Sequence, residues 1–156
     1  GLAAWERAGY QIVGGPGNLG RGQAQEVVAG QLPVATIDEV KNFDGVLIDT
    51  REANRYAGRK ERLDLKAGHI PGAVSVPTRE ILNPDNTFRP AEEIRATFEK
   101  VGVTDPNNVI VYSGSGVHSA QAIAAMHHAG LPGAALYLGG WSQWCADRNN
   151  PVERSD

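Results

Sequence analysis

The sequence predicts an α/β fold in which a parallel sheet is covered by helices on both faces. Short apolar stretches alternate with helical segments along the chain, as parallel strands joined by crossover helices do. Residues 109–112 (VIVY) are continuously apolar, as expected of a strand buried on both faces. With 156 residues, 41% of them hydrophobic and 21% charged, the composition fits one globular domain of ordinary size.

The first part of the chain predicts a helix, a linker and the start of a domain. Residues 2–9 have the pattern of a short amphipathic helix, and residues 14–22 (GGPGNLGRG) have linker composition. Thr36 is the predicted N-cap of a helix that runs through Val40. Residues 45–51 (GVLIDTR) predict a buried strand that ends in an acidic and a basic residue.

The remaining elements continue the alternation. After 45–51 we expect one or two helical turns over 52–58, a polar loop, and then a proline-glycine turn that leads into a strand within 68–77. A helix is predicted over 90–102, with acidic residues early and a glycine at its end. The strand 109–112 and its following helix come next. A last strand at 135–138 and a short helix at 139–144 complete the predicted elements.

Charge and residue counts exclude several classes of function. A net charge of −3 argues against non-specific nucleic-acid binding. No apolar run approaches the roughly 20 residues that span a bilayer, and the first residues lack a signal-peptide pattern, so we expect a cytoplasmic location without a membrane partner. Cys145 is the single cysteine, which excludes an internal disulfide and a cysteine-built metal site. We expect no metal or cofactor, and Cys145 as a small buried residue near Trp141 and Trp144.

The stretch 113–118 (SGSGVH) predicts an anion cradle. It lies between the strand 109–112 and a helix, and Gly114 and Gly116 allow the loop to curl with its N–H groups pointing inward. The unpaired N–H groups and dipole of the helix that follows favour the same negative charge. Open α/β sheets place their sites at this end of their strands.

The stretch VIVYSGSGVHSA resembles the active loop of rhodanese-type sulfurtransferases, especially the mercaptopyruvate branch, whose loop reads Cys-Gly-Ser-Gly-Val. The segments GHIPGA (68–73) and DTREANRY (49–56) resemble the same family. The resemblance implies a rhodanese-like fold with a five-stranded parallel sheet. It also implies sulfur transfer from 3-mercaptopyruvate or thiosulfate to cyanide or a thiol such as thioredoxin, through a cysteine persulfide. Ser113 stands where the family has that cysteine, and serine cannot carry the persulfide.

The resemblance also implies roles for other residues. Arg55 stands where the family holds the anionic end of the donor, and Arg62 lies where the mercaptopyruvate branch has a second anion-binding arginine. Ser115 corresponds to the serine that helps to protonate the departing enolate, together with a histidine and an aspartate of the first domain; residues 1–33 contain neither residue type. Ser113, Ser115 and Arg55 are thus the candidate catalytic residues.

The candidate donor-binding set adds the loop backbone and the basic connection after the second predicted strand. It comprises Arg55, Arg62, Gly114, Ser115, Gly116, Val117 and His118. His118 departs from the family's more usual Thr or Ser. Residues 51–69 carry six basic and three acidic side chains, so positive charge gathers on this connection, and an arginine fork suits a carboxylate or sulfonyl group. Asp49 and Arg51 are expected to pair or to brace the loop, and His69 to fix nearby backbone.

The resemblance further predicts the domain organisation. Residues 1–22 are interpreted as the tail of a preceding rhodanese-like domain plus a linker, and residues 23–156 as a rhodanese-like domain. The N-terminal rhodanese domain of the same protein is then an expected partner.

The loop allows two functional hypotheses and argues against two others. In the first hypothesis, Ser113 replaces the catalytic cysteine of a sulfurtransferase domain, so that this chain is inactive. In the second, Ser113 is native to a non-catalytic module that binds anions or regulates. A phosphatase with a related cradle is excluded because the loop runs into residues 118–120 (HSA) without the required arginine. A hydrolase with Ser113 as nucleophile lacks a base other than His118.

Overall fold

The computed structural model describes residues 1–17, 20–23 and 30–155. Residues 18–19 of the predicted linker, and residues 24–29 and 156 of the predicted domain, lie outside the described residues. The helices are α1 (Leu2–Arg7), α2 (Ile37–Lys41), α3 (Ala53–Tyr56), α4 (Ala91–Lys100), α5 (Val117–His128) and α6 (Gly140–Ala146), with 3₁₀ turns at Thr78–Ile81 and Pro106–Asn108. The strands are β1 (Val34–Ala35), β2 (Val46–Asp49), β3 (Val74–Ser75), β4 (Val109–Tyr112) and β5 (Ala135–Tyr137).

The five strands form one sheet in the order β1-β5-β4-β2-β3, and every pair of neighbours is parallel. The predicted five-stranded parallel sheet is therefore confirmed. The strand β1 was not predicted individually, because two residues are too few to give a periodic pattern. It pairs with β5 through Val34 opposite Leu136 and Ala35 opposite Tyr137.

Alternate side chains of the central strand β4 enter two separate cores. Val109 and Val111 pack in a cluster with residues of α4 and α5. Ile110 and Tyr112 belong to a second cluster with residues of α2 and α6. Because neighbouring side chains of a strand point to opposite faces, these two clusters show that helices cover both faces of the sheet. This accounts for the continuous apolar run of β4.

Local sequence signals set several boundaries. The side chain of Thr36 accepts the N–H of Glu39, and the Glu39 carboxylate accepts the N–H of Thr36, which completes a capping box at the start of α2. The helix α1 ends before Gly9, whose φ is +78°, and none of its residues is buried. Across the described ranges, no helix has the length and apolar character needed to cross a bilayer.

Candidate active site

The loops that follow β2, β4 and β5 meet at one edge of the sheet. Asp49 ends β2 opposite Tyr112 of β4, and Tyr112 lies opposite Tyr137 of β5. The chain passes from β2 to β3 on one side of this point and from β4 to β5 on the other. This is the switch point at which open α/β sheets form their ligand-binding crevices.

The side chain of Ser113 lies inside the curl of the loop that follows β4. Ser113 is 2% exposed, and its Oγ accepts a hydrogen bond from the N–H of Gly116 at 3.0 Å. The hydroxyl of Ser119 donates to the carbonyl of Gly116 at 3.0 Å and lies 3.1 Å from Ser113 Oγ. With the Ser119 hydrogen so occupied, the Ser113 hydroxyl donates to Ser119 Oγ. The loop therefore closes around side chain 113.

Glycine is required at position 116 for two reasons. Gly116 is the N-cap of α5 and has a φ of +87°, a conformation that other residues resist. A Cβ at this position would also stand 2.8 Å from Cδ1 of Leu138. Substitution here would disturb the amide that contacts Ser113.

Several backbone N–H groups of the loop remain available to a ligand. Within the described ranges, the N–H groups of Gly114, Ser115, Val117 and His118 have no acceptor in the protein. Those of Val117 and His118 belong to the first turn of α5, in which a helix leaves its N–H groups unpaired. Ser115, Val117 and His118 are exposed. The predicted loop residues thus offer a set of donors, with the dipole of α5 behind them, that suits a small anion.

The first turn of α6, the helix that follows the neighbouring strand β5, supports this loop. The N–H of Trp141 donates to the carbonyl of Ser113 at 2.8 Å, and the N–H of Ser142 donates to that of Gly114 at 3.1 Å. Gly140 makes this approach possible, because a Cβ on it would collide with both carbonyl oxygens. The structural importance of Gly140 and Ser142 was not foreseen from the sequence.

Arg55, the central predicted donor-binding residue, lies beside the loop. Its Nη1 is 3.7 Å from the position that a Cβ on Gly114 would occupy. Its Nε and Nη2 bind the carboxylate of Glu61 at 3.0 to 3.2 Å, and Nη2 also binds Asp64 at 2.7 Å. In the described chain, Nη1 has no hydrogen-bond partner. One edge of the guanidinium is therefore held by carboxylates, and Nη1 is the nitrogen that remains for a ligand.

The pairing of Asp49 with Arg51 is confirmed. Arg51 Nη2 lies 2.7 Å from Asp49 Oδ2, and Nη2 also donates to the carbonyl of Gly68 at 2.6 Å. Both side chains are buried, and the Arg51 guanidinium stacks over the ring of Trp141 at 4.6 Å. Burial by itself lowers the pKa of Arg51, but the hydrogen bonds and charge of Asp49 outweigh this and raise it.

Glu61 contacts both Arg51 and Arg55. Its Oε1 accepts the N–H groups of Arg62, Leu63 and Asp64, and its Oε2 lies 3.7 Å from Arg51 Nη1. Burial raises the pKa of Glu61, but the N–H groups of Leu63 and Asp64 and the Arg55 guanidinium more than compensate, so its pKa lies below the ordinary 4.5. The carboxylate therefore stays ionised and fixes the turn that follows it.

The basic connection is less uniformly positive than its composition suggests, because Glu61 and Asp64 fold onto its arginines. Arg62 is exposed and shares a cleft of about 570 Å³ with Arg55; Glu52, Asn54, Lys60, Glu61, Leu63 and Arg79 line the rest of it. The structure thus brings Arg55 to the loop. It places Arg62 in the adjoining cleft, which does not include the loop residues among its walls.

His69 and Cys145 are structural residues, as expected from the sequence. His69 is 2% exposed, its Nδ1 lies 2.8 Å from the carbonyl of Tyr56, and its ring stacks on that of Tyr56. Cys145 is buried in the same cluster as Trp141 and Trp144. Among the residues that the structure describes, no group of three or more His, Cys, Asp and Glu side chains could hold a metal ion.

Residues 34–147 match the family model of the rhodanese-like domain. A Pseudomonas aeruginosa protein named "Probable 3-mercaptopyruvate sulfurtransferase" is 34% identical over 160 residues, which cover 100% of this chain and 56% of that protein. Bovine thiosulfate sulfurtransferase is 36% identical over 111 residues, or 68% of this chain and 36% of that protein.

The chain is also similar to proteins of known structure. The 3-mercaptopyruvate sulfurtransferase from Leishmania major has a TM-score of 0.77 and 33% sequence identity, covering 91% of this chain and 41% of that one. The chain spans about half the length of the first curated relatives that it matches. Because residues 34–147 match this family model and form a parallel sheet, the chain belongs to the rhodanese-like domain family.

Proposed function

We propose that this chain is a sulfurtransferase domain that binds a small anionic sulfur donor between the 113–118 loop and Arg55. The observation that carries the proposal is the position of side chain 113 inside the loop, 3.0 Å from the N–H of Gly116. Arg55 Nη1 faces the same loop. Amide donors on one side and a guanidinium nitrogen on the other form a site for a carboxylate or a thiosulfate dianion.

With a cysteine at position 113, the site would support transfer in two steps. The thiolate attacks the outer sulfur of the donor, and the carbon–sulfur bond of 3-mercaptopyruvate or the sulfur–sulfur bond of thiosulfate breaks. Pyruvate, after its enolate takes a proton, or sulfite then departs. Cyanide or a thiol next attacks the outer sulfur of the persulfide and releases the thiolate. The loop amides and the α5 dipole would lower the pKa of that thiol.

Ser113 blocks this chemistry in the chain as it stands. A hydroxyl has no accessible ionised form comparable to a thiolate, and this one already donates to Ser119 and accepts from Gly116. We therefore propose that the chain binds donors but turns them over negligibly.

The test compares the parent protein with Ser113→Cys for thiocyanate formation from cyanide and each donor. The Cys variant is expected to be active and the parent inactive. Adding Arg55→Ala to the Cys variant should raise the KM for both donors, because the guanidinium contact to the anion is lost. Equal activity of parent and Cys variant would contradict the role of position 113, and an unchanged KM would contradict that of Arg55.

A second candidate function is a non-catalytic module that binds anions or regulates. The observation that favours it is that the Ser113 hydroxyl both donates and accepts a hydrogen bond within the loop. It predicts that Ser113→Cys still binds thiosulfate but transfers no sulfur. The thiocyanate assay therefore separates the two functions.

The wider context of the site is part of the same proposal. We assign residues 1–22 to the tail of a preceding rhodanese-like domain plus a linker, with that domain supplying a histidine and an aspartate that act with Ser115 on the departing enolate. The Cys variant of this chain alone should then use thiosulfate better than 3-mercaptopyruvate. A thiol protein such as thioredoxin in the cytoplasm is the proposed acceptor, and substituting it for cyanide in the assay checks this.

A further inference from the structure

Arg55 is connected to the helix that supports the loop. Asp64 binds Arg55 Nη2 through Oδ2 at 2.7 Å, and its other oxygen, Oδ1, accepts the hydroxyl of Ser142 at 2.6 Å. The side chain of Asp64 is 9% exposed; its bond to Arg55 is partly buried, whereas its bond to Ser142 lies at the surface. Asp64 is thus a bridge between the guanidinium and α6.

Ser142 also holds the loop itself. Its backbone N–H donates to the carbonyl of Gly114 at 3.1 Å, and Gly114 is the residue that Arg55 Nη1 approaches. Hydrogen bonds therefore connect Gly114 to Ser142, Ser142 to Asp64, and Asp64 to Arg55, whose Nη1 lies beside Gly114 without bonding to it. Ser142 is thus bonded to the loop through its backbone and to the partner of Arg55 through its side chain.

From these three hydrogen bonds, we propose that Ser142 is a positioning residue, which acts through Asp64 to hold Arg55 Nη1 at the distance from the loop that donor binding requires. The inference rests on the function proposed above and deepens it. Without the Ser142 hydroxyl, Asp64 keeps its charge but loses its link to α6. Arg55 then remains paired with Glu61 and Asp64, but its Nη1 is no longer held at a fixed distance from the loop amides.

Substitution of Ser142 tests the proposed link more directly than substitution of Asp64 or Glu61 does. Loss of Asp64 or Glu61 would change the charge beside the anion, and Glu61 also fixes three backbone N–H groups and contacts Arg51. Ser142 is exposed, and its hydroxyl binds Asp64. Ser142→Ala therefore removes the link while every charge and the backbone bond to Gly114 remain.

The first measurement is thiosulfate binding to the parent protein by calorimetry, which needs no turnover. Ser142→Ala should weaken binding about two- to tenfold, the effect of one net hydrogen bond expressed as a ratio of dissociation constants. Ser142→Thr keeps the hydroxyl and should restore most of the affinity. In the Ser113→Cys protein, Ser142→Ala should raise the KM for thiosulfate with little change in kcat.

The second measurement is a double-mutant cycle with Arg55→Ala. If Ser142 acts through Arg55, Ser142→Ala has no further effect on the KM for thiosulfate once the arginine is absent. Thr97→Val is the matched control, since Thr97 Oγ1 donates to a carbonyl of its own helix, α4. It should leave the affinity unchanged.

Two results would overturn the inference while leaving the proposed function intact. One is normal thiosulfate affinity in Ser142→Ala, and the other is a full Ser142→Ala effect that persists without Arg55. A parent that does not bind thiosulfate, together with an inactive Ser113→Cys protein, would instead overturn the proposed function and the inference that rests on it.

Discussion

Gly140 gives the sharpest prediction about the architecture of the site. Its φ is +55°, and a Cβ there would meet the carbonyl oxygens of Ser113 and Gly114. Gly140→Ala should therefore force α6 away from the loop and weaken the bonds from Trp141 and Ser142 that hold it. The conformation costs about 1–2 kcal/mol for a residue with a Cβ, and the overlap adds about 1–3 kcal/mol.

These terms together predict a loss of about 3 kcal/mol in the free energy of unfolding, which for a domain of this size lowers Tm by about 6–12 °C. Thiosulfate binding should weaken at least tenfold. Thermal denaturation and calorimetry measure the two effects.

Gly72→Ala is the control, because Gly72 also has a positive φ, +76°, but no heavy atom lies within 4 Å of its Cβ position. It should lose about 1 kcal/mol from conformation alone and bind thiosulfate normally. Equal destabilisation by the two substitutions, or normal thiosulfate binding by Gly140→Ala, would refute the role assigned to the close approach of α6.

The remaining predictions concern the buried charges behind the loop. Asp49→Asn leaves the buried Arg51 guanidinium without its main counter-ion, and urea denaturation should show a loss of about 3 kcal/mol; a loss below about 1 kcal/mol would mean that Glu61 alone suffices. Glu61 has a lowered pKa in the folded protein, so its contribution to stability is present above its ordinary value of 4.5 and is lost as the pH falls through the lower folded value. Glu61→Gln should therefore be less stable than the parent at neutral pH and should lose less stability on acidification below about pH 4.5; parallel curves for the two proteins would contradict this.

Much of the fold follows from local sequence. The run VIVY at 109–112 and the strands around it predicted a parallel sheet covered on both faces, because a strand that is apolar at every position needs a partner layer on each side. Thr36 and Glu39 set the start of α2 through a local capping box. The strand β1 was missed because its two residues are defined by pairing with β5, which is about 100 residues away in sequence.

The candidate site also combines features that follow from local sequence with features that depend on the tertiary structure. The sequence by itself determined which loop can gather amides around position 113, since glycines followed directly by a helix are a local feature, and it determined that a hydroxyl stands at that position. The tertiary structure alone decided which side chains Arg55 pairs with. Glu61 and Asp64 appeared in the sequence as ordinary charges of a polar loop, but folding places both carboxylates on one edge of the guanidinium. The link from Asp64 to Ser142 joins residues 78 positions apart, and contacts over such separations depend on how the strands are ordered in the sheet, which local residue patterns do not encode.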